Sequence, residues 1–296
     1  MKIVKPISVV DGDIISSTAD TSAYSAWNSG TTYTADNMVY YAFHDWKAVA
    51  TSTGVTPGTD ITKWIDQGAS NKYAMFDGVV GNATTAASTT LDVEIATGEL
   101  INAVVFFGIV GNSLQLQVDD PTDGIVYDET FLLNDYSGIL SGYAYYFSDV
   151  AERTTDLAIM DLPNYTTASI IVSIDNGVSP AAVAEMVVGT KKELGTTNFG
   201  TSVSIKDYSV KDVDDFGNYT IVQRKFAKLV DYDINVDTSR IAAVQKQLAS
   251  VRATPTVFIG NEEYPETIVY GFYKDFSIVI SGPSKSSGSI QVEGLV

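Results

Sequence analysis

Five aromatic residues, Trp27, Tyr33, Tyr41, Trp46 and Trp64, stand in order within residues 26–64, and all three tryptophans of the chain are among them. Flat rings so concentrated suit one chemistry above others. Sugars present apolar C–H faces on which aromatic rings stack, and hydroxyls that turn amides and carboxylates can bond. The run Met38-Val39-Tyr40-Tyr41 alternates with period two, as a strand does, so its rings can lie on both faces. Gly54, Pro57 and Gly58 then break the chain into turns. A unit this small buries little aliphatic surface, so the same rings are also natural material for its core. The residues alone leave both roles open.

Other reactive types are scarce or unmarked. His44 is the single histidine and there is no cysteine. A Ser-His-Asp triad would need His44, and no G-x-S-x-G elbow accompanies it. One histidine cannot build a zinc site, and disulfides have no part. His44 therefore reads as a turn or surface residue of a hairpin. The 36 carboxylates could supply the acid pair of a glycosidase, but no spacing marks one, and no enzyme is expected. Calcium is the better inorganic candidate, since it takes six to eight oxygens from acidic loops. Asp212, Asp214 and Asp215, followed by Gly217 and Asn218, form such a cluster, and Asp119, Asp120 and Asp123 form another. Neither completes an EF-hand loop, and Asp, Asn and Gly also make ordinary turns. No phosphate-cradling glycine motif is present. The densest basic run, 224–228 (RKFAK), falls on a strand-like segment where charges shield an edge.

These residues must be positioned by a mainly β chain. Residues 1–25 read as an N-terminal arm with one or two short strands around Asp11-Gly12, of a kind that often pairs with a neighbouring subunit. Residues 26–70 form the aromatic module, and residues 71–78 (NKYAMFDG) lead into a second unit spanning 71–208. Strand-like runs there lie at 91–95, 101–110, 113–118, 124–133, 143–147, 168–174 and 186–190, split by Gly and Asn-Gly turns. Such a series without helices predicts a β-sandwich or jelly roll. Residues 209–296 are mixed and read as a small α+β C-terminal domain. One long or two consecutive strands over 217–236 precede one helix, capped by Asp237 or Thr238 and stopped by Pro255. Its stripe is Ile241, Val244, Leu248 and Val251. Three further strands and a polar loop at 281–288 complete it.

The stretch 26–64, with Ala26-Trp27, Tyr33, Val39-x-Tyr41, Trp46-x-Ala48, Gly54, Pro57 and Trp64 in order, resembles the small chitin-binding modules that end many chitinases and recur in bacteriophage tail proteins. The resemblance covers little more than a tenth of the chain. It implies a carbohydrate-binding fold with Trp27, Tyr33, Tyr41, Trp46 and Trp64 as candidate sugar contacts. The family usually adds an aromatic pair before the central glycine, where this chain has Val49-Ala50-Thr51-Ser52-Thr53-Gly54. Segments 71–78 and 195–209 also look like parts of phage tail proteins. The resemblance thus implies a structural component of a phage tail or baseplate, made in the host cytoplasm and carried on the virion. Its expected partners are other tail or baseplate proteins, further copies of itself as a homo-oligomer, and a host-surface glycan. The alternative is a protein whose main role is glycan recognition.

The overall charge limits the partners further. The 296 residues carry a net charge of −18. Such a surface repels nucleic-acid phosphates and anionic lipid alike. The longest apolar run, 103–110, is far too short to span a bilayer. A hydrophobic content of 45% is enough for a substantial core.

Overall fold

The computed structural model describes residues 1–135, 142, 146, 152–213, 215–262 and 264–295. The run at 143–147, Tyr146 apart, and the candidate ligand Asp214 lie outside them. The described residues are mainly β, in several sheets, with one helix of full description. In chain order the principal elements are β1 (Lys2–Pro6) and β2 (Ile14–Ser17), the module strands β3 (Met38–Tyr41), β4 (His44–Ala48) and β5 (Trp64–Ala69), then β6 (Thr90–Ile95), β7 (Ala103–Phe107), β8 (Ser113–Asp120), β9 (Gly124–Leu132), β10 (Leu157–Met160), β11 (Ser169–Asp175) and β12 (Glu185–Glu193). There follow β13 (Ser202–Asp207), β14 (Val210–Val213), β15 (Tyr219–Val222), β16 (Phe226–Asp237), α1 (Ile241–Ser250), β17 (Thr256–Ile259), β18 (Ile268–Val279) and β19 (Lys285–Gly294).

Two sheets make the body. One has five strands in the order β9-β8-β11-β6-β2. Its central strands alternate strictly. Leu91, Val93 and Ile95 of β6, and Leu114, Leu116 and Val118 of β8, point inward, with Asp92, Glu94, Gln115 and Gln117 between them. This is the pattern of a sheet with one face on a core and the other towards water. The second sheet has ten strands, β10-β7-β12-β1-β17-β18-β19-β16, with β13 and the pair Thr196–Thr197 both on the far edge of β16. The five-stranded sheet packs on Val104, Phe106, Ile159, Met186 and Val188 of the large one, which is the expected sandwich. By contrast β7 (AVVFF) is buried at every position. A continuous apolar run is the mark of a strand covered on both faces.

What covers the second face is the large sheet itself. In a flat sheet β7 and β18, four places apart, would lie roughly 19 Å from each other. Yet the rings of Phe107 and Tyr270 stack at 5.8 Å. Lys228 on β16 likewise reaches Asp156, beside β10 at the opposite end of the sheet. The sheet is therefore rolled, with Val4, Ala103, Val105, Phe107, Val187, Val257, Ile259 and Ile268 inside. Further along its outer face lies α1, where Val244, Leu248 and Val251 pack on Ile3, Tyr232, Phe258 and Ile290. The helix stripe is as the spacing predicts. Its expected cap is not. Asp237 is the last residue of β16 and its side chain makes no capping bond. Thr238 opens a 3₁₀ turn and donates its hydroxyl to the Gly282 carbonyl instead, because the chain enters the helix directly from a paired strand. The helix ends at Ser250, ahead of Pro255, with Ala253 in the left-handed region.

The N-terminal arm also differs from its reading. β1 does not reach out to a neighbour. It pairs antiparallel with β12 on one side and β17 on the other, in the middle of the large sheet, so segments expected as separate units share that sheet. Its residues divide between cores. Ile3 packs under α1, Val4 points into the roll, and Ile7, just beyond the strand, joins the sandwich core.

Because Ile3 is fully buried among residues distant in sequence, Ile3→Ala should lower stability by about 2–5 kcal/mol, read as a shifted midpoint in urea. Deletion of residues 1–6 should abolish cooperative unfolding altogether.

Candidate functional site

The aromatic module is a small sheet, β3-β4-β5, beside a two-stranded pair of Thr32–Tyr33 with Ser52–Thr53. β3 and β4 are joined by Ala42 and Phe43, both at positive φ (49° and 72°). Two left-handed residues in a two-residue loop form the hairpin turn that matches strand twist, though neither is the glycine usually found there. Tertiary contacts hold the strained pair. The Ser70 amide and hydroxyl both donate to the Phe43 carbonyl, at 2.8 and 3.0 Å, and the Phe43 ring meets Tyr73 edge-on at 4.9 Å. Tyr73 in turn donates to Asp11. The segment 71–78 thus fastens the module to the body. Asn71 bonds the backbone of both Asp20 and Thr85.

The five aromatic candidates separate into two groups. Trp64, 1% exposed, and Tyr33 are core, meeting edge-on at 5.3 Å over Val39 and Ala48. Their polar atoms are used internally: Trp64 Nε1 donates to Val55 O at 2.8 Å, and Tyr33 Oη accepts from the Asn28 amide. Both rings thus serve the module's own core, Tyr33 wholly and Trp64 with one part bordering the groove described next. Trp27, Tyr41 and Trp46 are half-buried. Trp27 and Tyr41 meet edge-on at 5.4 Å, and Trp27 Nε1 is enclosed without an acceptor. Trp46 donates its Nε1 to Tyr41 O at 3.0 Å, which fixes the ring.

Trp46 borders an open groove of about 510 Å³ with Gly58, Ile61, Ile65 and Asp66, floored by Trp64. Ile61 is 83% and Ile65 46% exposed. The glycine is required here. Gly58 has φ +85°, and a Cβ on it would come within 3.2 Å of Trp46 Cη2. On the adjoining strand His44 Nδ1 lies 2.9 Å from the Asp66 carboxylate. The groove therefore offers one indole, two aliphatic side chains and a carboxylate, a set that can seat an apolar ring face and accept from a hydroxyl. Sequence reasoning missed Ile61, Ile65 and Asp66. An exposed isoleucine in a loop carries no motif, although Ile61 between Asp60 and Thr62 is a signal of sorts.

The calcium candidates that are described lie in or beside strands and accept bonds from neighbouring groups. Asp120 accepts from the amides of Thr122 and Asp123 and from the Thr167 hydroxyl, and Asp123 accepts from Tyr165. Asp212 accepts from the Val213 amide, and Asp215 is exposed. Among the described residues no group of three or more His, Asp or Glu is arranged to hold a metal.

A second constellation was not visible in the sequence. Glu185, at the start of β12, is only 3% exposed. Its Oε2 accepts from the Gly78 amide at 3.1 Å. Burial, and then the nearby charge of Asp77, push its carboxyl up to about 8. Burial also raises Asp77, against the bonds it accepts from Val79 and Asn82. Tyr270 is raised by burial and by both acids. Phe107 and Tyr270 line a cavity of about 390 Å³ at the seam of the rolled sheet, with Val80, Phe226, Ile268 and Lys228. Glu185 is not among its lining residues; it faces the loop at Gly78. The pair can hold a proton at neutral pH.

Compared with known protein families, curated proteins and solved structures, the chain matches none.

Two outcomes follow from this geometry. Trp64→Ala should cost about 3–5 kcal/mol of stability, while Trp46→Ala should leave the fold nearly unchanged, as thermal unfolding will show. Between the ordinary 4.5 of a glutamate and about 8, the folded chain holds a proton at Glu185 that the unfolded chain has lost, so stability falls as pH rises through that window. Glu185→Gln should remove the fall. Its advantage over the parent should grow from pH 5 to pH 8 to on the order of a few kcal/mol, measured by urea unfolding at each pH.

Proposed function

We propose that this chain is a structural component of a bacteriophage tail or baseplate, assembled as an oligomer, with its aromatic module turned to host-surface glycan. The observation that carries the assembly role is a β-ribbon leaving the large sheet. β13 pairs with the first half of β16, and β14 then pairs with β15. All of β13, β14 and β15 is exposed, including Val203, Ile205, Val210, Val213, Tyr219 and Ile221. An isolated two-stranded ribbon is marginal in water, and apolar side chains so displayed mark a contact surface. The ordered aromatics of residues 26–64 support the tail attribution through the resemblance they carry.

The alternative, a protein devoted to glycan recognition, is favoured by the groove beside Trp46. A single indole and two isoleucines give weak contact per module, so useful affinity rests on several modules acting together. The two roles are compatible in one particle.

The assembly role is tested by incubating the isolated protein with tails lacking it and locating it by antibody labelling in the electron microscope. Labelled tails are expected; a strictly monomeric protein that joins no tail overturns the reading. For the groove, calorimetry with chitin oligomers and host envelope polysaccharide should show binding that Trp46→Ala abolishes. Absence of heat with the well-folded parent would leave the module as scaffold.

A further inference from the structure

The rolled sheet is not closed by a hydrogen-bonded ladder. Among the described residues β10, at one end, pairs only with β7, and at the other end β16 pairs with β19, β13 and Thr196–Thr197. The two ends therefore meet through side chains, Lys228 and Asp156 among them. The gap left between them is the cavity of about 390 Å³ at the seam. We infer that this cavity is a binding site for a compact amphiphile, an apolar ring or short chain that carries one anionic group. The inference stands apart from the tail role proposed above.

Size and lining select the apolar body. Ligand pockets begin at roughly 300 Å³ and are mostly apolar, with a few placed polar groups. A cavity of roughly 150 Å³ takes benzene, so the seam has room for two fused rings. Its wall holds the stacked rings of Phe107 and Tyr270, with Val80, Ile268 and Leu295. Phe226 also lines it and is 56% exposed, which leaves ring surface that a bound ring would cover.

The charged lining selects the head. It consists of Lys225, Lys228 and Asp156, two cations to one anion in a chain of net charge −18. Asp156 is the more enclosed partner of the ion pair, its side chain 13% exposed against 38% for Lys228, and it also accepts from the Gly108 amide at 3.4 Å. An ammonium has three donors. Among the described residues that of Lys228 bonds Asp156 alone, so donors remain for a carboxylate or sulfonate. Thr155, Asp156, Phe226 and Lys228 line a second hollow as well, of about 340 Å³. The ion pair thus stands where the two hollows adjoin. A ligand with its body in the first sets its head at that junction, drawn by Lys228 and opposed by Asp156.

The test is fluorescence titration of the full chain with anilinonaphthalene sulfonate, and with phenylnaphthylamine, the same rings without the charge. Physiological salt screens the remaining negative surface beyond about 8 Å. One saturable site per chain is expected. Val80→Phe and Leu295→Phe, which narrow the cavity, should each weaken both dyes. Lys228→Met should weaken the sulfonate by about tenfold or more and leave the neutral dye nearly unchanged. Asp156→Asn should tighten the sulfonate, a gain that a merely structural ion pair would not give. Thermal unfolding checks that each variant is folded. If Lys228→Met is not, Lys228→Met with Asp156→Asn leaves no unpaired charge, and it should bind the sulfonate more weakly than Asp156→Asn alone. A parent without saturable binding overturns the site. Dye that binds the narrowed variants as well as the parent lies elsewhere, as on the exposed ribbon, and overturns it too. Sulfonate binding indifferent to Lys228 overturns the anionic class of ligand. None of these results bears on the assembly role.

Discussion

Everything else in this fold depends on where β1 sits. Among the described residues a strand of five, Lys2–Pro6, is the only link between β12 and β17. Without it the large sheet falls into two pieces, each with a bare edge. This strand and the residue after it plug three cores, with Ile3 under the helix, Val4 inside the roll and Ile7 beneath the five-stranded sheet. Backbone pairing and burial therefore reinforce each other at one place. Losing the strand would expose ladder groups on both neighbours as well as apolar surface.

The roll has its own cause. Sheets twist because each strand twists, and a ten-stranded sheet left open would expose a large inner face. Here that face is lined by Ala103, Val4, Val105 and Val257, small side chains that let distant strands approach. Gly271 and Gly189 add to this, since a Cβ on either would collide with the backbone of the adjoining strand. The Phe107–Tyr270 stack and the Lys228–Asp156 pair then close the circuit.

The strands of the five-stranded sheet were legible because period-two alternation is local. Leu91, Val93 and Ile95 announce one buried face without reference to anything else. The helix was legible for the same reason, in the 3-4-3 stripe ending at Val251. The place of β1 was not, because nothing in Lys-Ile-Val-Lys-Pro tells an edge strand from a central one; that is decided by residues nearly two hundred positions away. At the candidate site, residue types were readable and their exposure was not. Trp64 and Trp46 look alike in sequence, yet one is wedged against Tyr33 and the other is half-open. Glu185 was hidden because its burial comes from the loop at Asp77 and Gly78, brought to it only by the fold.

The position of β1 also sets a timetable. β1 cannot find its second neighbour until residues 256–259 have been made, and until then it waits with one edge uncovered. Contacts of such long range form slowly, and a half-built sheet with an open edge is the species most prone to aggregate. The large sheet therefore becomes continuous only late, when β17 meets β1. Any assembly that needs the continuous large sheet must follow synthesis of β17 rather than accompany the strands before it.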